Sequence, residues 1–174
     1  VKRRLKVSRL SKRMQTKIVE ACGESTMLFD CQARSWQVSE INRMQSMMDR
    51  KYRYIWSNKT KPPLIQMQEE HTNMQDVRNS LKVKSLRWKI EKRVLERIGH
   101  VLRMEDTRQV KAVTLGWMKE LDGKEKLPGK KRKTILYWKR LLKQAGIDWT
   151  RIEGLTRDRK AWKQLVRDRM KYLE

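Results

Sequence analysis

The sequence predicts an all-α protein, a helical bundle of about six to seven helices in two loosely joined subdomains. Apolar residues recur at intervals of three and four along most of the 174 residues, which is the period of one face of a helix. No long segment alternates apolar and polar residues with the period of two that a half-buried strand requires. A Pro–Pro pair interrupts the helical pattern and marks the expected boundary.

The first predicted domain, residues 1–57, is a basic helical segment with two helices. Ser11 can cap the first helix, and Cys22 lies on the face that we expect to be buried. The second helix begins near Ser39, and Met44, Met47 and Met48 within it are predicted to fill the core.

A Pro-containing linker, residues 58–73, separates this segment from a helical C-terminal region, residues 74–174. Because Pro62 and Pro63 disfavour a helix, we expect an extended stretch there. The C-terminal region opens with a short helix, a three-residue turn and a long helix that starts at Ser85. This shape is typical of a DNA-binding helix-turn-helix, and equally of two helices that simply pack together. The predicted buried face of the long helix comprises Leu86, Ile90, Val94, Ile98, Val101 and Leu102.

Further helices complete the C-terminal region. The first, from about Thr107 to Leu121, is predicted to turn Val110, Val113, Trp117 and Leu121 inward. A basic loop, residues 122–133, follows it and contains both Gly and Pro. The next helix begins near Thr134 and ends at a glycine, and a last helix closes the chain.

The charge of the chain indicates a polyanionic partner. Lysine and arginine number 44 against 20 acids, which gives a formal net charge of +24. This excess is far above what solubility requires, and it destabilises the folded state through self-repulsion. Nucleic acid is therefore the first candidate partner, followed by an acidic membrane surface and an acidic protein. No apolar run approaches the roughly 18 residues that a membrane-spanning helix needs, so we expect no membrane span.

The two cysteines, Cys22 and Cys31, form neither a CxxC motif nor a disulfide framework. We expect both to be free, buried thiols in a reducing, intracellular compartment. The basic segments favour the nucleus, with an organelle as the alternative.

The stretch PGKKRKTILYW places a block of cations directly before a predicted helix. The N–H groups at a helix start, together with Lys and Arg, can form a phosphate site. A nuclear localisation signal and a solvated loop remain the alternatives. Trp138, in the same helix, is expected in the core rather than stacked on a base. The cations predicted to contact nucleic acid are Lys2, Arg3, Arg4, Lys12, Arg13, Lys130, Lys131, Arg132, Lys133, Lys139 and Arg140.

The chain shows no autonomous active site. It offers no Gly-rich phosphate loop, no isolated pair of catalytic carboxylates, and no nucleophile with an identified base. His100 is expected to be a packing or capping residue rather than a ligand or a base. No cofactor and no metal site are predicted, and whether the chain belongs to an enzyme stays open.

Three patterns follow one another in the sequence: STMLFDCQARSW, then RWKIEKRVLERIGHVLRM, then PGKKRKTILYWKRLL followed by LTRDRKAWKQLV. In this order they resemble the region after the catalytic palm in reverse transcriptases of non-LTR (LINE-type) retrotransposons. The family's second pattern is like R-LRWFGHVLRM, whereas here KIEKRVLERI is inserted after the tryptophan. The family's third pattern is like GRPRKTWLDDI followed by AQDRERWRKLV. The residues that match the family's motifs are Trp36, Trp88, Gly99, His100, Arg103, Asp158, Arg159 and Trp162.

The resemblance implies a helical thumb, corresponding to residues 1–57, and a C-terminal region that grips the element RNA or the template–primer. It also implies that the palm, whose YADD-like motif carries the polymerase carboxylates, is not part of this chain. The predicted function is a non-catalytic nucleic-acid-binding region of a retroelement reverse transcriptase. Its expected partners are RNA or an RNA–DNA hybrid, and the missing palm and fingers or a larger assembly. The alternative is a basic structural subunit of a large ribonucleoprotein or other assembly.

Overall fold

Helices form every regular element in the part of the chain that the computed structural model describes, namely residues 10–29, 31, 35–57, 61–120 and 133–171. No strand occurs within these ranges, so the all-α prediction is confirmed. Nine helices are present there, a number close to the expected six to seven. The two short helices α3 and α8, defined below, account for the difference.

The helices are numbered in chain order. The first, α1, comprises Lys12–Val19, a π-helical segment Glu20–Glu24, and a final α-helical turn Ser25–Met27. The others are α2 Val38–Trp56, α3 Pro63–Glu69, α4 Met74–Leu81, α5 Leu86–Leu102, α6 Gln109–Glu120, α7 Lys133–Gln144, α8 Ile152–Arg157 and α9 Arg159–Met170.

Two compact units divide the chain, and the division falls after Lys89, within α5. Of the described residues, 10–29, 37–57 and 61–89 belong to the first unit, and 31, 35–36 and 90–171 belong to the second. A unit defined by its internal contacts need not coincide with a domain that folds by itself. The predicted domain boundaries at residues 58–73 therefore stay a prediction.

The prediction of an extended stretch at the Pro–Pro pair is wrong. Pro63 is the first residue of α3, with Pro62 at the N-cap. A proline at this position lacks only an N–H group that would have no partner inside the helix, and its fixed φ angle suits the helix start. The prolines therefore start a helix here instead of preventing one.

The core of the first unit joins α1, α2 and α4. Tyr52 and Met48 of α2 are almost fully buried, at 1% and 0% exposure. Met47 and Cys22, which were expected to be buried, are exposed, whereas Cys31 is buried as predicted, and neither cysteine forms a disulfide. The six buried residues of this core are Val19, Met48, Tyr52, Ile55, Val77 and Val83.

A buried polar group lies beside this core. The carboxylate of Glu24, in the π-helical segment, accepts hydrogen bonds from the Tyr52 hydroxyl and from the Lys89 ammonium. The same ammonium lies 2.9 Å from Oε1 of Glu20. Burial, followed by the hydrogen bond to Glu24, raises the pKa of Tyr52, so the phenol keeps the proton that it donates. The contacts satisfy a carboxylate that would otherwise be costly to bury.

In the second unit, the long helix α5 has the face that the sequence predicts. All six of the apolar residues from Leu86 to Leu102 named above are buried, although Leu86 itself belongs to the first unit. The prediction for α6 is wrong at Val110 and Val113, which are 51% and 45% exposed, and Thr114 and Met118 are buried instead. Trp117 is half-buried, and Leu121 lies outside the described residues. The apolar residues of α6 are distributed around the whole helix, so their spacing does not define a single inward face.

Helix α9 packs against α5 through a tryptophan and a glycine. The Trp162 indole is 1% exposed, and its Nε1–H donates to the Leu95 carbonyl oxygen at 3.1 Å. A Cβ atom built on Gly99 would lie 2.2 Å from Trp162 Nε1, well inside van der Waals contact. The absence of a side chain at Gly99 is therefore what allows the indole to reach the backbone of α5.

Replacing Gly99 with alanine is expected to lower the free energy of unfolding by about 1–3 kcal/mol, the usual cost of overpacking a core. The ring cannot move away without losing its hydrogen bond to Leu95. The matched control is Gly116→Ala in α6, where nothing lies within 4 Å of the added Cβ. That variant is expected to gain about 0.5–1 kcal/mol from helix propensity. Urea denaturation of both variants tests this packing, which would be contradicted by a G99A protein as stable as the original.

Candidate nucleic-acid interface

Six of the cations predicted to contact nucleic acid, namely Lys2, Arg3, Arg4, Lys130, Lys131 and Arg132, lie outside the described residues. The phosphate contact proposed for the GKKRK stretch therefore stays a prediction. Of the neighbouring cations, Lys133 begins α7 and is exposed, Arg140 is exposed, and Lys139 is half-buried. Trp138 is 4% exposed, which confirms that it belongs to the core and removes its ring from stacking with a base.

The two remaining predicted cations, Lys12 and Arg13, line a cleft of about 640 Å³ in the first unit. The cleft lies between α1, the C-terminal end of α2 and the C-terminal end of α4. We call it the basic cleft. Its lining residues are Lys12, Arg13, Thr16, Lys17, Glu20, Trp56, Ser80, Leu81 and Lys82.

Lys17 and Lys82 complete the basic cleft but were missing from the predicted contacts. Lys17 could have been found, because it follows Arg13 by four residues and so shares its helix face. Lys82 is distant from both along the chain, and only the packing of α4 brings it to the cleft. It has a left-handed backbone, with φ of +56°, and it forms the C-cap of α4.

The positive charge of the basic cleft is not cancelled locally. Arg13, Lys17 and Lys82 form no ion pair with any other residue in the described part of the chain. The ammonium of Lys12 donates to the Trp56 carbonyl oxygen, which leaves its charge in place. The one acid of the lining, Glu20, is paired with Lys89. Cations that line a concave surface reinforce each other's potential and attract polyanions.

One wall of the basic cleft is held by an ion pair. In Arg78 of α4, Nη1 lies 3.0 Å from Oδ1 of Asp49 in α2, and both side chains are 14% exposed. Partial burial strengthens such a pair relative to one on the surface. The pair fixes α4, and with it Lys82, against the rest of the unit.

The structure brings several residues of the family motifs together in the second unit. Trp162 lies on Gly99, and Nη1 of Arg103 donates to the Thr156 carbonyl oxygen at 3.0 Å. The Asp158 side chain accepts from the backbone N–H groups of residues 160 and 161 at 2.7 and 3.2 Å, and so caps α9. The motifs around residues 99 and 158 therefore form one packed arrangement, which their order in the sequence did not predict.

The remaining motif residues have separate surroundings. Trp36 donates its indole N–H to the Cys31 carbonyl oxygen at 2.6 Å, and the Lys84 ammonium lies 5.8 Å from the centre of the Trp88 ring. Of the packing or capping role expected for His100, packing is excluded because the residue is exposed, whereas its place in the last turn of α5 leaves the capping role a prediction.

The described residues contain neither a metal-ligating cluster nor a membrane-spanning helix. No group of three or more His, Cys, Asp or Glu side chains there is placed to hold a metal ion. Within the same ranges, no helix combines the length and the apolar character needed to cross a membrane.

Compared with protein families, curated proteins and solved structures, the chain matches none. The resemblance to non-LTR reverse transcriptases therefore rests on the quoted motifs alone and stays a prediction. The structure shows which groups contact the described motif residues.

Removing the cap of α9 tests whether Asp158 has the structural role that its contacts indicate. Asp158→Ala is expected to lower the free energy of unfolding by about 1 kcal/mol, because two backbone N–H groups lose their acceptor. Asp158→Asn keeps an acceptor oxygen and should remain within a few tenths of a kcal/mol of the original. Urea denaturation measures both. Equal losses in the two variants would mean that the negative charge matters rather than the cap.

Proposed function

We propose that this chain is a non-catalytic nucleic-acid-binding region of a retroelement reverse transcriptase, which grips RNA or the template–primer by its phosphate backbone. The observation that carries the binding proposal is the basic cleft, whose cations Arg13, Lys17 and Lys82 have no acidic partner among the described residues. The retroelement origin is carried by the three sequence motifs.

Phosphate groups are the ligands that best suit the basic cleft. Lysine ammonium groups act as compact point charges with no fixed direction, and Arg13 can fork onto a single phosphate. Neutralising phosphates releases condensed counterions, which provides affinity without reading the sequence. Backbone binding of this kind also explains why a chain would keep a net charge of +24 despite its self-repulsion.

The proposal extends to the partners and the location that the motifs imply. RNA or an RNA–DNA hybrid is the proposed nucleic acid, and duplex DNA is the comparison. The palm and fingers of the same polymerase, or a larger assembly, are the proposed protein partners. The nucleus is the proposed compartment, with an organelle as the alternative.

A salt series tests the basic cleft directly. Binding of the full chain to an RNA hairpin, an RNA–DNA hybrid and a DNA duplex is measured between low and physiological salt. If R13Q/K17Q removes two phosphate contacts, the magnitude of the slope of log K against log[salt] should fall by about 1.8 for the DNA duplex. The matched control is R43Q/R50Q, which removes two exposed cations from α2 that do not line the cleft.

The comparison between the two double variants decides the outcome. A flatter slope in R13Q/K17Q, with R43Q/R50Q close to the original, supports the cleft. Equal changes in both would show that only the total charge matters. Weak binding with an unchanged slope would instead favour the basic structural subunit of a large assembly. The loop variant K130E/K131E/R132E/K133E measures the contribution of the GKKRK stretch in the same assay.

A further inference from the structure

A second concave surface lies in the second unit, where the family motifs meet. It is a cavity of about 410 Å³ beside the contact between Trp162 and α5. We call it the motif cavity. Its lining residues are Glu96, His100 and Arg103 from α5 and the residue after it, and Arg159, Trp162 and Lys163 from α9.

The motif cavity carries an excess of positive charge. Arg103, Arg159 and Lys163 supply three fixed positive charges, and Glu96 supplies one negative charge. Arg159 and Lys163 form no ion pair with any residue in the described ranges. His100, which is exposed, adds a further hydrogen-bond donor.

Arg103 is held in place within the motif cavity. Its Nη1 donates to the Thr156 carbonyl oxygen, which fixes the guanidinium, while its other N–H groups form no hydrogen bond within the described chain. Burial, and then the nearby charge of Arg159, lower the pKa of Arg103. Two guanidinium groups that repel each other across a cavity gain stability when an anion lies between them.

We propose that the motif cavity is a binding site for a phosphate group, held by Arg103, Arg159 and Lys163 with His100 as an additional donor. Guanidinium groups bind phosphate oxygens through two parallel N–H···O bonds, and a lysine ammonium adds a point charge. The buried Trp162 ring forms an apolar wall that excludes water from one side. This site is independent of the basic cleft, because the two share no residue and belong to different units.

The phosphate group can belong to a free phosphate compound or to the end of a nucleic acid strand, and the chemistry of the cavity is the same for both. Glu96 disfavours a ligand that carries several phosphates close to it. A single terminal phosphate carries few negative charges, and it therefore best matches a cavity lined by three cations and one carboxylate. The experiment therefore includes both sources.

Inorganic phosphate is titrated into the full chain at constant ionic strength, with sodium chloride as the balancing salt. The readout is ¹H–¹⁵N NMR of the Trp162 indole N–H and of the backbone amides of α5 and α9. Saturable shifts of these signals at millimolar phosphate are expected. R159Q and K163Q should each weaken binding roughly ten-fold, the usual effect of losing one charge-assisted hydrogen bond.

The matched control is K160Q, which removes an exposed cation of α9 that does not line the cavity. Its phosphate affinity should stay within about two-fold of the original. An equal loss in K160Q and K163Q, or shifts that grow linearly without saturation, would overturn the proposal. The spectra also report folding, so a variant that has lost its structure is recognised at once, and the other variant then carries the test.

A second titration uses a short oligonucleotide with and without a 5′-phosphate. A preference for the phosphorylated strand that R159Q abolishes assigns the site to a nucleic-acid end, and no preference assigns it to a free phosphate compound. The R13Q/K17Q variant should leave the phosphate-induced shifts of the Trp162 indole N–H and of the α9 amides unchanged, because neither substituted residue lines the motif cavity. Failure of the motif cavity and failure of the basic cleft are thus measured separately.

Discussion

Mutual repulsion among 44 lysines and arginines, opposed by only 20 acids, is the constraint on which the contacts of this chain depend. In the first unit, acids are placed where they hold helices together. Glu20 and Glu24 bind Lys89, and Asp49 binds Arg78. These pairs are at least partly buried, where electrostatic attraction is stronger than at the surface. Some cations without such partners, among them Arg13, Lys17 and Lys82, line a concave surface, whereas others such as Arg43 and Arg50 are exposed elsewhere.

The two concave surfaces differ in chemistry although both are positive. The basic cleft contains three lysines and one arginine, and long flexible ammonium groups suit a backbone whose phosphates follow one another at variable positions. The motif cavity contains two arginines, a lysine and a histidine, with Arg103 anchored to Thr156. Fixed guanidinium groups suit one phosphate in one orientation. The two proposals therefore differ in kind: the basic cleft is proposed to cover several phosphates, and the motif cavity is proposed to position a single one.

The sequence alone predicts the features that depend on neighbouring residues, and it does not predict those that depend on contacts between distant segments. The buried face of α5 and the exact span of α4 follow from helical periodicity, and the end of α7 from Gly146, which has φ of +63°. Helix α3 was missed because a proline at a helix start has the opposite effect to one inside a helix. Lys82 and the contact between Gly99 and Trp162 join distant parts of the chain. No spacing rule reports them, since tertiary packing alone brings these residues together.

The contact between Gly99 and Trp162 restricts the substitutions that the chain can accept at these two positions. A larger residue at position 99 removes the space for the indole, and a smaller residue at position 162 leaves that space empty. A change at either residue alone is therefore expected to lower stability, although the two belong to separate segments of the sequence. We therefore expect the two motifs, although far apart in the sequence, to change together, with compensating substitutions at both positions or at neither.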